Sequence, residues 1–287
     1  KKNKDVKSEE SYSIKMNAQE TVIEASTANG IFYGIVSLVQ LARFSEKREN
    51  HLVEIDCLNI SDEPLYAWRG LMLDESRHFF GKEKVKQLLD WMAMYKLNRF
   101  HWHLTDAPGW RIEIKGYPKL GYIGGIGNHT YPYTKAEFYT QEEVKEIIRY
   151  AKERNIEVIP EIDMPGHAAA ANRAYPEFSG GGSERYPDFT FNPGKDTVFT
   201  FLTHVLKEID ALFPSQIIHL GGDEVHFGNE NWKSDKNVQA LMEKENLTEL
   251  KEVENYFLKR MADSVMAMNN KIAAWDEVAE SDLPTDK

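Results

Sequence analysis

The chain has 287 residues, of which 41% are hydrophobic, 28% charged and 11% aromatic, a composition that supports one large packed domain with or without a smaller companion and excludes a disordered chain. Its 46 acidic residues against 35 basic ones leave a net charge of −11, which repels phosphate backbones and argues against a nucleic-acid partner; the only basic cluster falls in the first seven residues. The most apolar stretch, Gly30 to Ala42, carries Ser37 and Gln40 and is shorter than the roughly 20 residues of a membrane helix.

From Ser11 to Ile60 the pattern reads strand, strand, helix, strand. Tyr12, Ile14 and Met16 alternate, Thr21 to Ala25 is β-rich, and Ile31, Ile35, Leu38 and Ala42 recur at helical spacing. Val53, Ile55 and Cys57 then alternate again. Cys57 is the single cysteine, which excludes an internal disulfide and a cysteine-built zinc site, and it is read as a buried filler. These elements predict part of a small α+β domain over residues 1–63, ending near Asp62-Glu63-Pro64.

Beyond Pro64, short apolar runs alternate with amphipathic helices, the pattern of βα units around a parallel sheet. Strands are predicted at Gly70 to Leu73, Arg99 to Leu104, Glu157 to Ile162, Ile217 to Leu220 and Ile272 to Trp275. One helix carries Val85, Leu88, Leu89 and Met92. Another begins at the capping box Thr140-Gln-Glu-Glu143, a third opens at Asp196, and a fourth carries Val253, Tyr256, Phe257, Met261 and Val265. Gly180-Gly181-Gly182 reads as a flexible loop. The loops after Leu104, Ile162 and Leu220 are long, and long loops at the carboxyl ends of parallel strands mark the functional face of a (β/α) barrel. The expected fold class is therefore α/β: a (β/α)8-type barrel over residues 64–287, with about five of eight strands present, preceded by the small α+β domain.

The sharpest chemical pattern is Ile217-Ile-His-Leu-Gly-Gly-Asp223-Glu224, two carboxylates after an apolar strand and two glycines that let the backbone crowd a ligand. On an extended chain the two adjacent side chains project in opposite directions, and both approach a bound sugar from one side of the barrel mouth. Retaining glycosidases with a protein nucleophile place two carboxyl groups about 5–5.5 Å apart on either side of the anomeric carbon. Asp223 and Glu224 suit another division of labour, one acid protonating the leaving group and the other orienting the substrate. Three more strand ends converge on this mouth, bringing Leu73-Asp-Glu-Ser-Arg77, His101-Trp-His103-Leu-Thr-Asp106 and Pro160-Glu-Ile-Asp163-Met-Pro-Gly-His167. Arg77 beside carboxylates reads either as an internal salt bridge or as a substrate ligand, and Trp275 either as core or as a sugar platform.

The runs Arg69 to Phe79, Phe100 to Asp106, Val158 to His167, His219 to Glu224 and Ala274 to Glu277 resemble, in order, the strand-end motifs of glycoside hydrolase family 20, the β-N-acetylhexosaminidases. Glu10 to Leu41 resembles the end of that family's small α/β domain. The resemblance implies removal of terminal non-reducing β-linked N-acetylhexosamine, GlcNAc or GalNAc, from a glycan or glycoconjugate. Its 2-acetamido group would be the nucleophile and the configuration would be retained. It implies Glu224 as general acid/base, Asp223 holding the acetamido group, Arg77 binding sugar hydroxyls, Asp106 and His167 supporting the acid, and Trp275 walling the acetamido pocket. It implies no cofactor, no metal, and an extracytoplasmic location, whether periplasmic, secreted or lysosomal.

Two departures from the family stand out. Ala107 and Pro108 replace an Asp and a Gln that often follow the residue matching Asp106, and the closing strands have no counterpart after Glu277. Three further βα units cannot fit in the ten residues that follow it, so the chain is expected to be the leading part of a longer enzyme whose missing C-terminal segment completes the pocket. Two other functions compete. One is a metal-dependent barrel hydrolase using His101, His103, His167, His219 and Asp276. The other is a non-catalytic carbohydrate-binding remnant, against which the intact Asp223 and Glu224 count.

Overall fold

The computed structural model describes residues 8–45 and 53–281; the basic stretch at the start of the chain lies outside them. The described residues form two compact units. One comprises the residues up to Leu71 with Lys86–Phe100 and Tyr150–Glu157, the other Met72–Val85, His101–Arg149 and the residues from Val158 onward.

In the first unit, β1 (Tyr12–Met16), β2 (Thr21–Ala25) and β3 (Asn59–Asp62) make an antiparallel sheet in the order β2-β1-β3. Ile14 stands opposite both Ile23 and Ile60. The alternation therefore sends Tyr12 and Ile14 into a small core with Ala25 and with Tyr33 of helix α1 (Ala28–Phe44). Thr27 caps that helix, its hydroxyl accepting the Gly30 N–H at 3.2 Å. The buried face of α1 is Tyr33, Val36 and Ser37, while Ile35 of the expected Ile31, Ile35, Leu38 and Ala42 stripe is exposed. Two further expectations are corrected here. The third strand is Asn59–Asp62, not the Val53 to Cys57 run, and Cys57 is exposed. Asn59 and Ser61 are exposed and only Ile60 packs on the core. The strand is anchored by polar groups instead: Tyr12 donates to Asp62 at 2.5 Å, and Lys96 donates to the same carboxylate at 2.9 Å. An apolar pattern gives no sign of that kind of anchor.

The remaining strands are β4 (Gly70–Asp74), β5 (Arg99–His103), β6 (Thr105–Asp106), β7 (Gly109–Trp110), β8 (Glu157–Glu161), β9 (Ile217–His219) and β10 (Lys271–Ala273). Five of them form a parallel sheet in the order β4-β5-β8-β9-β10, while β6 and β7 pair as a short hairpin. The five predicted strands are all present, their neighbours in space are their neighbours in sequence, and helices connect them. This is the α/β strand order of a (β/α) barrel, represented by five strands.

The helices are α2 (Lys82–Met94), α3 (Gln141–Lys152), α4 (Ala169–Ala174), α5 (Asp196–Leu212), α6 (Lys236–Glu245) and α7 (Leu250–Ala267). Each long one buries the predicted stripe: Val144 and Ile147 on α3, Leu202, Val205 and Ile209 on α5, and Val253, Phe257, Met261 and Val265 on α7. Each such side chain contributes about 1.5–3 kcal/mol. The capping box forms, Thr140 N–H donating to Glu143 at 3.0 Å and Glu143 N–H donating to the Thr140 hydroxyl at 3.3 Å. Helix α6 was not foreseen; it buries only Val238 and Leu241, and Asp235 caps it. Gly180 to Gly182 is not a loose loop. Gly180 N–H donates to Thr190 O at 2.8 Å and Gly182 N–H to the Asn231 side chain at 3.0 Å. Among the described residues no helix is long and apolar enough to cross a membrane.

Candidate active site

The loop after β4 and the long loop between β5 and α3 are joined by Arg111, which is fully buried. Its guanidinium donates to the carbonyls of Ser76, Gly125, Gly127 and Glu137 at 2.6–3.0 Å. The segment that presents Arg77 is fixed in this way. Arg77 Nη1 lies 2.5 Å from Asp106 Oδ2 and 2.9 Å from Asp74 Oδ2, so the internal salt bridge exists, on a side chain still 38% exposed. Burial works against its charge, and the Asp106 and Asp74 carboxylates outweigh that, raising the Arg77 pKa further.

Asp106 sits in β6, buried, and its other oxygen accepts a hydrogen bond from His167 Nδ1 at 2.9 Å. The opposite ring nitrogen of His167 faces Glu224 Oε2 at 3.5 Å and Asp223 Oδ2 at 3.7 Å. Asp106, His167, Asp223 and Glu224 are thus brought together. The geometry corrects one expectation: Glu224 is left-handed, with φ 53°, so the chain is not extended there, and both carboxylates turn toward one imidazole. Gly221 and Gly222 allow this turn with φ of 70° and 91°. A Cβ on Gly221 would collide with the Asp163 carboxylate and one on Gly222 with Val278. These glycines are crowded by protein.

The electrostatics follow from burial and pairing. Burial works to lower the His167 pKa, but the hydrogen bond to Asp106 and the Asp106 and Asp223 charges overcome it and raise it to about 9. Asp106 is buried yet held well below the usual carboxylate range by hydrogen bonds from His103 and His167. Asp223 is raised, first by burial and then by the Glu161 and Asp106 charges. Asp163, wholly enclosed, is raised further, so it keeps its proton where ordinary carboxyls lose theirs.

Sequence reasoning missed the role of Glu161, the last residue of β8 and fully buried. Its Oε2 lies 2.5 Å from His101 Nε2 and 2.6 Å from His103 Nδ1. Its Oε1 accepts the Trp275 indole N–H at 2.9 Å and lies 3.2 Å from His219 Nδ1. The signal was available: a glutamate closing the apolar run Val158-Ile-Pro is a buried charge that requires partners. Two histidines spaced by two on β5 supply them from one face of a strand. Trp275 lies two residues beyond β10, half-buried, its ring 5.1 Å from that of His219. Glu277 was also missed; its carboxylate accepts the Glu224 N–H at 3.0 Å.

Three groups lie within reach of a shared cation: His101, Glu161 and His219; His103, Asp106 and Asp163; and Asp163, His167 and Asp223. The set foreseen for metal is therefore divided among them, and Asp276 is exposed and in none. Glu161 and Asp106 already spend their oxygens on ring and indole donors. A ligand role would require breaking those bonds.

Two family models match the chain: "Glycosyl hydrolase family 20, catalytic domain" over residues 66–287 and "Glycosyl hydrolase family 20, domain 2" over residues 1–63. The chain is similar to a beta-hexosaminidase of Porphyromonas gingivalis, 38% identical over 96% of this chain and 36% of that protein. It is equally similar to one of Vibrio furnissii, 38% identical over 96% of this chain and 47% of that protein. Among solved structures it resembles the GH20 exo β-N-acetylglucosaminidase of Vibrio harveyi in complex with N-acetylglucosamine, with a TM-score of 0.92 and 36% identity. That match covers 100% of this chain and 47% of the other. The chain spans about half the length, or less, of these relatives.

Proposed function

Since the chain belongs to glycosyl hydrolase family 20, we propose that it serves the removal of terminal β-linked N-acetylhexosamine from glycans or glycoconjugates, in an extracytoplasmic setting, with the substrate's own acetamido group as nucleophile. Glu224 acts as general acid and then general base. Asp223 accepts the acetamido N–H and stabilises the positive charge that develops as the carbonyl oxygen attacks the anomeric carbon. Arg77 binds sugar hydroxyls at the mouth, Trp275 walls the acetamido pocket, and Asp106 orients His167 beneath Glu224. We assign residues 1–63 to the small α+β domain and 64–287 to the catalytic barrel domain.

The observation that carries this reading is that Asp223 and Glu224 turn to the same imidazole, at 3.7 and 3.5 Å. Two carboxylates on one side do not flank an anomeric carbon as a protein acid and a protein nucleophile must. An internal nucleophile removes that requirement, and a well-placed one accounts for about 7–11 kcal/mol of barrier. The test is turnover of a chromogenic β-N-acetylglucosaminide beside the matched β-glucoside. Strong preference for the acetamido sugar is expected, and equal turnover of the two would sink the reading.

A further inference from the structure

A line of close polar contacts, buried at its middle, runs from the indole of Trp275 to the carboxylate of Glu224. Trp275 donates to Glu161 at 2.9 Å, and the other Glu161 oxygen lies 2.6 Å from His103 Nδ1 as an ion pair. His103 Nε2 is 2.9 Å from Asp106, Asp106 is 2.9 Å from His167, and His167 faces Glu224 at 3.5 Å. His103 is the midpoint, with no role in the reaction described above. Its side chain is 3% exposed, between carboxylates that are 0% and 2% exposed.

We propose that His103 is a positioning residue that joins the two halves of the site. One ring nitrogen sets Asp106, and through it His167 beneath Glu224; the other sets Glu161, and through it the Trp275 wall. This rests on the functional reading above. Two buried carboxylates on either side of one ring carry a large desolvation penalty unless a cation stands between them, and a doubly protonated imidazole supplies that charge, through a hydrogen bond from Nε2 to Asp106 and an ion-pair contact of Nδ1 with Glu161 that lacks hydrogen-bond alignment. The other groups facing the ring are Arg77, Asp163 and His101. Arg77 Nη1 lies 3.3 Å from Nε2, a contact that as a hydrogen bond needs a lone pair on that nitrogen, whereas Asp106 needs a proton there. The Asp106 contact is shorter and joins opposite charges, so the proton stays. Asp163 lies within the same cluster but holds its own proton. His101 gives its Nε2 to Glu161 and loses charge through burial.

Two substitutions cut the two arms separately. The amide of His103→Asn stands near the position of Nδ1 and keeps the Glu161 arm; that of His103→Gln stands near Nε2 and keeps the Asp106 arm. The experiment compares the parent chain with both variants, checked for folding by thermal melting. In the parent, ring-nitrogen NMR at pH 7 is expected to show both His103 nitrogens protonated. His103→Asn releases the full Asp106 charge onto His167, so His167 titrates higher, and turnover of substrates with poor leaving groups falls about 10- to 100-fold, as for loss of one charged hydrogen bond. His103→Gln also loses the charge but keeps a donor to Asp106, so His167 titrates less high than in His103→Asn, while KM rises and the preference for N-acetyl over bulkier N-acyl sugars weakens. A parent with no acetamido-selective turnover would remove the functional reading, while the NMR comparison would still decide the clamp. An unprotonated Nε2 in the parent, or identical His167 titrations in the two variants, overturns it.

Discussion

The main-chain N–H of Glu224 donates to the side chain of Glu277 at 3.0 Å. The acid that follows β9 is thereby held by an acid that follows β10, and the left-handed turn at Glu224 is fixed from the neighbouring strand end. A hydrogen bond to a charged acceptor contributes about 1.5–3 kcal/mol, or about 10- to 100-fold in rate where it sets the position of a reacting group. Glu277→Ala is expected to lower kcat on an N-acetylhexosaminide by that range, with Glu277→Gln recovering most of it. Unchanged kcat in the alanine variant would show that the turn holds itself.

Glu224→Gln separates acid help from the rest of the mechanism. General acid catalysis contributes about 10²–10⁴ in rate, and it matters most when the leaving group is a poor one. The variant should lose that much on an alkyl glycoside and much less on an activated aryl glycoside. Equal losses on both would assign Glu224 a different role.

Asp223→Asn examines the acetamido contact. Asp223 is half-buried and its pKa is raised, first by burial, so the site holds this carboxylate reluctantly and rewards a positive partner. The variant is expected to weaken a cyclised oxazoline-like analogue at least about tenfold more than it weakens the simple product, because only the analogue carries developing cationic character. Inhibition constants measure both. If the analogue binds the parent no better than product does, the internal nucleophile is the wrong mechanism.

The βα alternation and the strand-end motifs were legible because apolar runs and helical stripes repeat at fixed periods, and five motifs fell where the parallel strands stop. The misses have physical causes. Asn59–Asp62 is a strand on the strength of Tyr12, Asp62 and Lys96, and Cys57 just before it is exposed. The positive φ of Glu224 depends on Gly221 and Gly222 packing against Asp163 and Val278, which lie far away in sequence. Glu161 gave no sign of a role within its motif, because the four side chains around it come from three other strand ends and meet only in three dimensions.

Glu75 offers a test of the loop that carries Arg77. It is fully enclosed, accepting the Phe80 N–H at 2.8 Å and the Tyr139 hydroxyl at 2.7 Å. Burial nonetheless pushes its pKa up to about 7, against those two bonds and the Arg111 charge. For a carboxyl raised in the folded state the cost of ionisation is absent below the unfolded value near 4.5 and complete above about 7. Parent stability should therefore lose about 3 kcal/mol from this group across that window. Glu75→Gln should flatten the decline, read as urea midpoints at pH 5 and pH 7.5. Parallel slopes in parent and variant would show that Glu75 ionises without strain.

His167 gives the opposite window. Its ordinary value of 6.5 is raised to about 9 in the fold, where the Asp106 bond outweighs burial. A raised imidazole contributes stability that is fully present below about 6.5 and is lost as pH rises through about 9. With about 1.36 kcal/mol for each pH step of one, the loss across the window is about 3 kcal/mol. Asp106 acts in the other direction and at lower pH: its depressed value contributes stability above its unfolded value near 3.9, which is lost only in strong acid. The two effects therefore separate on the pH axis, although both draw on the Asp106–His167 hydrogen bond, to which Asp106 adds a second from His103. Thermal melting of the parent from pH 6 to pH 9.5 should fall more steeply than that of His167→Asn, whose side chain has no proton to lose there. The two curves should converge at the alkaline end, where the parent imidazole is neutral as well. Curves offset by the same amount at every pH would mean that His167 is held by packing alone, and the charge placed beneath Glu224 would have to come from elsewhere.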